Sequence, residues 1–362
     1  MPALAATFVY VANAADGDIA TFSMQPDGVL HPGARVNAGD AVGPMAVSPD
    51  RRFLYAAVRS KPFSVHVYTI DPGTGALTPL SVSPLAESFP YISLDKTGRF
   101  VFGASYHAHL VSVNAVGADG RVAAAPLQVI PVGRNAHSIR TDESNRFVYV
   151  PTLGSDQMFQ FAFDAKSGRL SSNRPAVAQM QPGTGPRHFV TSADNRYLYA
   201  LSELLATVTT FALDGNTGLL TEIGSASGLP SDTTLVPGAP RVAAGAPTAA
   251  PPRNRDRDIW AADIHLTSDG SFLYISERTS STLGAFSVNG KTGKLTYLAS
   301  TPTETQPRGF AIDPSGRFLV ACGEKSDTIS VYAIDQASGA LALLQKYPGG
   351  KGANWVEIVS FG

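Results

Sequence analysis

The chain has 362 residues, a formal net charge of −1, 44% hydrophobic residues and only 16% charged ones. That balance leaves ample material for an apolar core, and it excludes a nucleic-acid or polyanion partner, because no run of one charge sign is long enough to attract one. A single cysteine, Cys322, excludes an intrachain disulfide, and no stretch approaches the ~18 consecutive apolar residues that a helical membrane span needs.

Residues 1–6 lack a positively charged start and run straight into a strand pattern, so no secretory signal is expected and the protein is expected to be cytoplasmic. The first strand, residues 7–12, carries an aromatic-x-aromatic core, Phe8-Val9-Tyr10. The core recurs at Phe53-Leu54-Tyr55, Phe100-Val101-Phe102, Phe147-Val148-Tyr149, Tyr197-Leu198-Tyr199 and Phe272-Leu273-Tyr274, with a seventh copy at Phe318-Leu319-Val320. The intervals are 45, 47, 47, 50, 75 and 46 residues. A turn such as Asp95-Lys96-Thr97-Gly98-Arg99 precedes several copies, and a second turn such as Asp71-Pro72-Gly73-Thr74-Gly75 follows. Asp and Asn bond the local backbone and Gly accepts positive φ, so both segments read as tight turns. Each unit is then four short strands in about 45 residues, the size of a propeller blade.

Seven units predict an all-β chain, a seven-bladed β-propeller with four antiparallel strands per blade. Blade one lacks an inner strand at its start. Residues 355–359 are left over as a strand at the C-terminus, and the simplest closure makes that strand the inner one of blade one, removing an open edge. The chain reads as one propeller domain, 1–362. Its 75-residue interval holds a Pro/Ala-rich insertion at about 229–258 ending in Arg253, Arg255 and Arg257. Two readings of it stand, a surface loop and a lid. Cys322 lies in the apolar run Phe318–Cys322 and is read as packing.

The repeat allows equivalent positions to be compared within the chain. Ten residues before each aromatic stand Gly43, Pro90, His137, Arg187, Ala262 and Arg308; the next column holds Pro44, Tyr91, Ser138, His188, Asp263 and Gly309. Six residues after it stand Ala14, Arg59, Tyr106, Leu153, Glu203, Arg278 and Glu324. Inner and second strands are antiparallel neighbours, so these columns rim one face of the ring. Apolar strands that end in unlike polar residues suit one asymmetric ligand. Arg59, Arg187, Arg278 and Arg308 suit a carboxylate or phosphate, and His137 and Glu203 suit proton transfer. Tyr106, His107, His188 and Asp263 are further binding candidates, Glu277 and His265 second choices. His265 falls inside a strand and reads first as a core residue. No nucleophile elbow, metalloprotease motif or phosphate loop is present, and an arginine-rich rim disfavours a divalent metal.

The segments Ala136-His137-Ser138-Ile139, Gly185-Pro186-Arg187-His188-Phe189 with Ser202-Glu203-Leu204, Ala262-Asp263-Ile264-His265-Leu266 with Ser276-Glu277-Arg278, and Gln306-Pro307-Arg308-Gly309-Phe310 resemble the seven-bladed propeller lactonases. That family includes a bacterial type of 6-phosphogluconolactonase and the fungal 3-carboxy-cis,cis-muconate lactonising enzyme. The resemblance implies cofactor-independent hydrolysis of a sugar lactone, an anionic one, with His137, Arg187, Glu203 and Arg278 as the active-site residues and no metal. The expected partner is a small anionic lactone or sugar acid, with no nucleic acid or membrane, for a monomer or weak homo-oligomer. Glu277 stands where the family motif has Asn, and the insertion is long for the family. Two alternatives are a muconate-type cycloisomerase, which forms a lactone, and a non-enzymatic binding platform.

Overall fold

The computed structural model describes residues 6–241 and 254–362. Its strands form seven four-stranded antiparallel sheets. Contacts between successive inner strands, and between Phe147–Thr152 and Pro186–Thr191 where blade four's inner strand is only Arg140–Thr141, close these sheets into a ring. Blade one takes the C-terminal strand Ala353–Phe361 as its inner strand, paired to Ala6–Asn13 with Tyr10 opposite Glu357. The expected closure is therefore the one observed. The one helical element among the described residues is a 3-10 turn, Leu153–Ser155, and no helix is long and apolar enough to cross a membrane.

The second strand of each blade is buried on both faces, as in Phe53–Val58 and Phe147–Thr152. A strand sandwiched between neighbouring blades has no solvent face, which is why these segments read as apolar runs rather than alternating ones. Outer strands such as Leu30–Asn37 are largely exposed. Seven clusters of buried apolar residues each fill one seam between adjacent blades, and a small eighth, Tyr106, Leu153 and Leu204, lies at the channel mouth.

The aromatic repeat builds those seams. Phe8 lies against Gly75 of the next blade, whose φ is +70°, and a Cβ at Gly75 would come within 2.3 Å of the Phe8 ring. Only glycine meets both demands. The same ring-on-glycine contact joins Phe53 to Gly120, Phe100 to Gly168, Phe147 to Gly218, Tyr197 to Gly293, Phe272 to Gly339 and, across the chain ends, Phe318 to Gly28. The second aromatic adds a hydrogen bond: the hydroxyls of Tyr10, Tyr55, Tyr149 and Tyr274 donate to the carbonyls of Gly75, Gly120, Gly218 and Gly339 at 2.8–3.0 Å. In the Asp-x-x-Gly/Asn-Arg turns, Asp95 Oδ1 accepts the amides of Arg99 and Phe100, and Asp142 and Asp313 repeat the pattern.

Each inner strand starts at one mouth of the channel and ends at these turns. The columns found by internal comparison therefore meet at the mouth opposite the turns.

Candidate active site

Pro186 pairs with Ser202 in blade five, and Ala261 pairs with Glu277 in blade six. Arg187, Glu203 and Arg278 follow directly on these pairs. The amide of Glu203 donates to Gly185 O at 2.8 Å and that of Ala261 to Glu203 O at 3.0 Å, which fixes the two blade mouths against each other.

Three buried charges converge there. Arg187 Nε donates to Glu203 Oε2 at 2.8 Å and Arg278 Nη2 to the same oxygen at 3.0 Å, with exposures of 1%, 3% and 6% for Arg187, Glu203 and Arg278. Both guanidiniums fall on Oε2, and no hydrogen bond to Oε1 comes from the described residues. Carbonyls hold the guanidiniums from behind: Arg278 donates to Trp260 O and Ala261 O at 3.0 and 3.1 Å, and Arg187 Nη1 to Ala262 O. Buried charges hold such positions only when paired and hydrogen-bonded in this way.

His137 lies beside the triad, Nε2 4.0 Å from Glu203 Oε2, and its buried Nδ1 has no partner among the described residues. Burial and the neighbouring guanidiniums of Arg187, Arg308 and Arg278 hold its pKa well below the usual imidazole range, so it is neutral at pH 7. Burial, then repulsion from Arg278, brings Arg187 down to about 9, and burial with Arg308 brings Arg59 down to about 10. Burial pushes Tyr106 up to about 12.

These groups line one pocket of about 160 Å³ with Pro90, His107, Arg59, Arg308, Trp260 and Arg241. Six of the seven blades contribute to it. Blade one, whose column position is Ala14, does not. Beneath the pocket the apolar column residue Leu153 packs with Tyr106 and Leu204. Gly43 leaves room for Arg59, since a Cβ there would lie 3.1 Å from Arg59 Cδ. Arg308 Nη1 is buried without a partner among the described residues, while its Nε lies 3.6 Å from Glu324 Oε1.

Two of the ten expected residues do not line this pocket. His188 and Asp263 face a second cavity of about 260 Å³ towards the other mouth, with Tyr91, Arg140, His265, Trp355 and Glu357. The reason is a bulge. In blades five and six the pairing shifts between Pro186 and Phe189 and between Ala261 and Ile264. The extra residue re-aims successive side chains. Arg187 enters the upper pocket and His188 the lower cavity. His188 Nδ1 bonds Asp263 Oδ1 at 2.9 Å, Asp263 Oδ2 bonds His265 Nε2 at 3.2 Å, and Arg187 Nη1 lies 3.1 Å from His188 Nε2. The pair thus stands behind the pocket, in contact with Arg187. Glu277 also faces away, accepting the amides of Trp260 and Ser280 at 2.7 and 2.6 Å.

Internal comparison missed Arg241 and Trp260, because both lie in or beside the insertion, where no other blade offers an equivalent position. Of the three arginines that end the insertion, Arg253 lies outside the described residues. Arg255 and Arg257 donate back to Ala239 O and Thr234 O at 3.4 and 2.8 Å rather than reaching the pocket.

A family model described as "Lactonase, 7-bladed beta-propeller" matches residues 6–358. The 6-phosphogluconolactonase of Serratia proteamaculans is 38% identical over 352 residues, 97% of this chain and 98% of that protein. The 6-phosphogluconolactonase of Pectobacterium carotovorum is 37% identical over 352 residues, with the same coverage. Among solved structures, the periplasmic gluconolactonase of Pseudomonas aeruginosa superposes with a TM-score of 0.84 at 26% identity, covering 99% of both chains.

Proposed function

Since this chain belongs to the seven-bladed β-propeller lactonase family, we propose that it hydrolyses a sugar lactone bearing an anionic group, in the arginine-lined pocket around Glu203. The observation that carries the assignment is the convergence of Arg187 and Arg278 on Glu203 beside a neutral His137 whose Nδ1 has no partner among the described residues.

The chemistry follows from those charges. Water attacks the lactone carbonyl while His137 accepts its proton. The tetrahedral oxyanion forms against the remaining N–H groups of Arg187 and Arg278, preorganised donors in a desolvated site. The imidazolium returns its proton to the ring oxygen as the C–O bond breaks. The sum is one water consumed and one hydroxy acid formed, whose carboxyl ionises at pH 7. His137 is the better base of the two candidates, because Glu203 Oε2 is already engaged by two guanidiniums while His137 Nδ1 has no partner among the described residues. An anionic substrate offsets the cations that depress His137, so binding makes its imidazole more basic. Glu203 then stabilises the imidazolium from 4.0 Å.

The test is a pH-stat assay of a lactone panel, corrected for spontaneous opening, on wild type, His137→Ala and Glu203→Gln. We expect kcat to fall by about 10²–10⁴ for His137→Ala. Wild-type turnover in both variants overturns the assignment, as does a protein that closes lactones but opens none. A cytoplasmic location belongs to the proposal, and the single buried thiol of Cys322 is compatible with it. Lactonase activity in the periplasmic fraction of the host is the contrary result.

A further inference from the structure

Five guanidiniums line the pocket, those of Arg59, Arg187, Arg241, Arg278 and Arg308. Two carboxylates answer them, Glu203 within the pocket and Glu324 at 3.6 Å from Arg308, while the charges of Asp258 and Arg255, which also act on Arg241, cancel each other. Five minus two leaves three positive charges, and His137 adds none. A neutral sugar lactone satisfies one of them, through its developing oxyanion. A phosphomonoester dianion supplies the other two.

Arg241 is unlike the other four. It stands on the insertion, not on a blade, and it is held at both ends of its residue. Its amide donates to Tyr106 Oη at 3.2 Å, and the Tyr106 hydroxyl donates to its carbonyl at 3.0 Å. Just before it, Gly238 N donates to Leu204 O at 2.8 Å, and Val236 pairs with Asp258. Blade three and blade five thus fasten this backbone across the pocket. The side chain is placed as firmly. Arg241 Cζ lies 3.5 Å and Arg278 Cζ 3.7 Å from the centroid of the same Trp260 ring. Two guanidiniums cannot share one face at that height, so the indole is sandwiched between them. Stacking uses the face of the Arg241 guanidinium and leaves its in-plane N–H groups for other partners. Its Nε is buried and has no partner among the described residues.

We propose that Arg241 is a specificity-determining residue, which reads a dianionic phosphomonoester on the substrate and makes the enzyme prefer phosphorylated over unphosphorylated sugar lactones. The proposal rests on the lactonase reading above and deepens it. A guanidinium already stacked and latched loses little freedom when the anion arrives, so its charge-assisted hydrogen bonds appear as selectivity.

The experiment compares wild type, Arg241→Gln and Arg241→Lys on 6-phosphogluconolactone and gluconolactone, with titration calorimetry of 6-phosphogluconate and gluconate on the same proteins. Wild type is expected to favour the phosphorylated lactone. In Arg241→Gln the ratio of the two kcat/KM values should fall at least about tenfold, the scale of one lost hydrogen bond to a charged group. The change should lie chiefly in KM, because the phosphate does not react. Arg241→Lys should keep part of the preference. A ratio unchanged in Arg241→Gln overturns the proposal, and so does an equal loss on both substrates, which marks a structural role. If wild type opens neither lactone, the lactonase reading fails by itself. The calorimetry then decides this one: 6-phosphogluconate binding lost in Arg241→Gln supports it, and equal binding by wild type and variant overturns it.

Discussion

Glu203 is the residue on which the site turns, because two buried guanidiniums depend on its one Oε2. Glu203→Ala leaves both without their carboxylate and should cost about 3–5 kcal/mol of stability. Glu203→Gln keeps an acceptor and should cost less, so thermal melts of the two variants separate the electrostatic contribution from packing. Equal losses contradict the pairing. Asp263 belongs to a different layer. It holds His188, which contacts Arg187. Asp263→Ala should therefore lower kcat and thermal stability while leaving the KM for the lactone within about twofold, since KM tracks groups that bind substrate directly. A selective rise in KM returns Asp263 to the pocket. The polar columns made His137, Arg187, Glu203 and Arg278 legible in the sequence. His188 and Asp263 were legible as channel residues but not as lower ones, because a one-residue bulge changes where a side chain points and leaves no mark in the composition.

At the scale of strands and turns, the seams carry the stability. The hydroxyls of Tyr10, Tyr55, Tyr149 and Tyr274 each close one seam onto a glycine carbonyl, and Tyr→Phe there should cost about 1 kcal/mol. Tyr199 occupies the same place in its blade, yet its hydroxyl is buried with no partner among the described residues. Tyr199→Phe should be neutral or stabilising. Denaturant melts of Tyr55→Phe and Tyr199→Phe compare the two directly, and equal losses refute the seam account. The aromatic repeat revealed the blades from the sequence alone. What the repeat is for, a ring over the positive-φ glycine of the next blade, required the spatial neighbour. The insertion shows the opposite limit. With no equivalent in another blade, its pocket residue Arg241 belongs to no column, and Arg255 and Arg257 at the end of the insertion bond their own loop.

For the whole molecule, the C-terminal strand closes the ring and also places Trp355 and Glu357 in the lower cavity. Deleting residues 353–362 exposes one edge of blade one and should abolish cooperative unfolding. A truncated chain with a wild-type melting curve contradicts the closure. The lower cavity also sets a pH dependence. Burial pushes Glu357 up to about 7, against the bond from Trp355 Nε1 at 2.8 Å. A carboxyl with a raised folded-state pKa favours the fold when protonated, so its contribution is complete below about 4.5 and is lost as pH rises to about 7. Glu357→Gln should raise the melting temperature at pH 8 and leave it unchanged at pH 4.5, and a loss of stability at pH 8 reverses the sign of this account. The channel thus holds two polar cavities, and the smaller is assigned the chemistry. A crystal structure with bound 6-phosphogluconate tests that choice most directly. The account predicts the sugar acid at the upper mouth, its carboxylate beside His137 and Arg187 and its phosphate on Arg241. Density in the cavity lined by His265, Trp355 and Glu357, with the upper pocket empty, contradicts it.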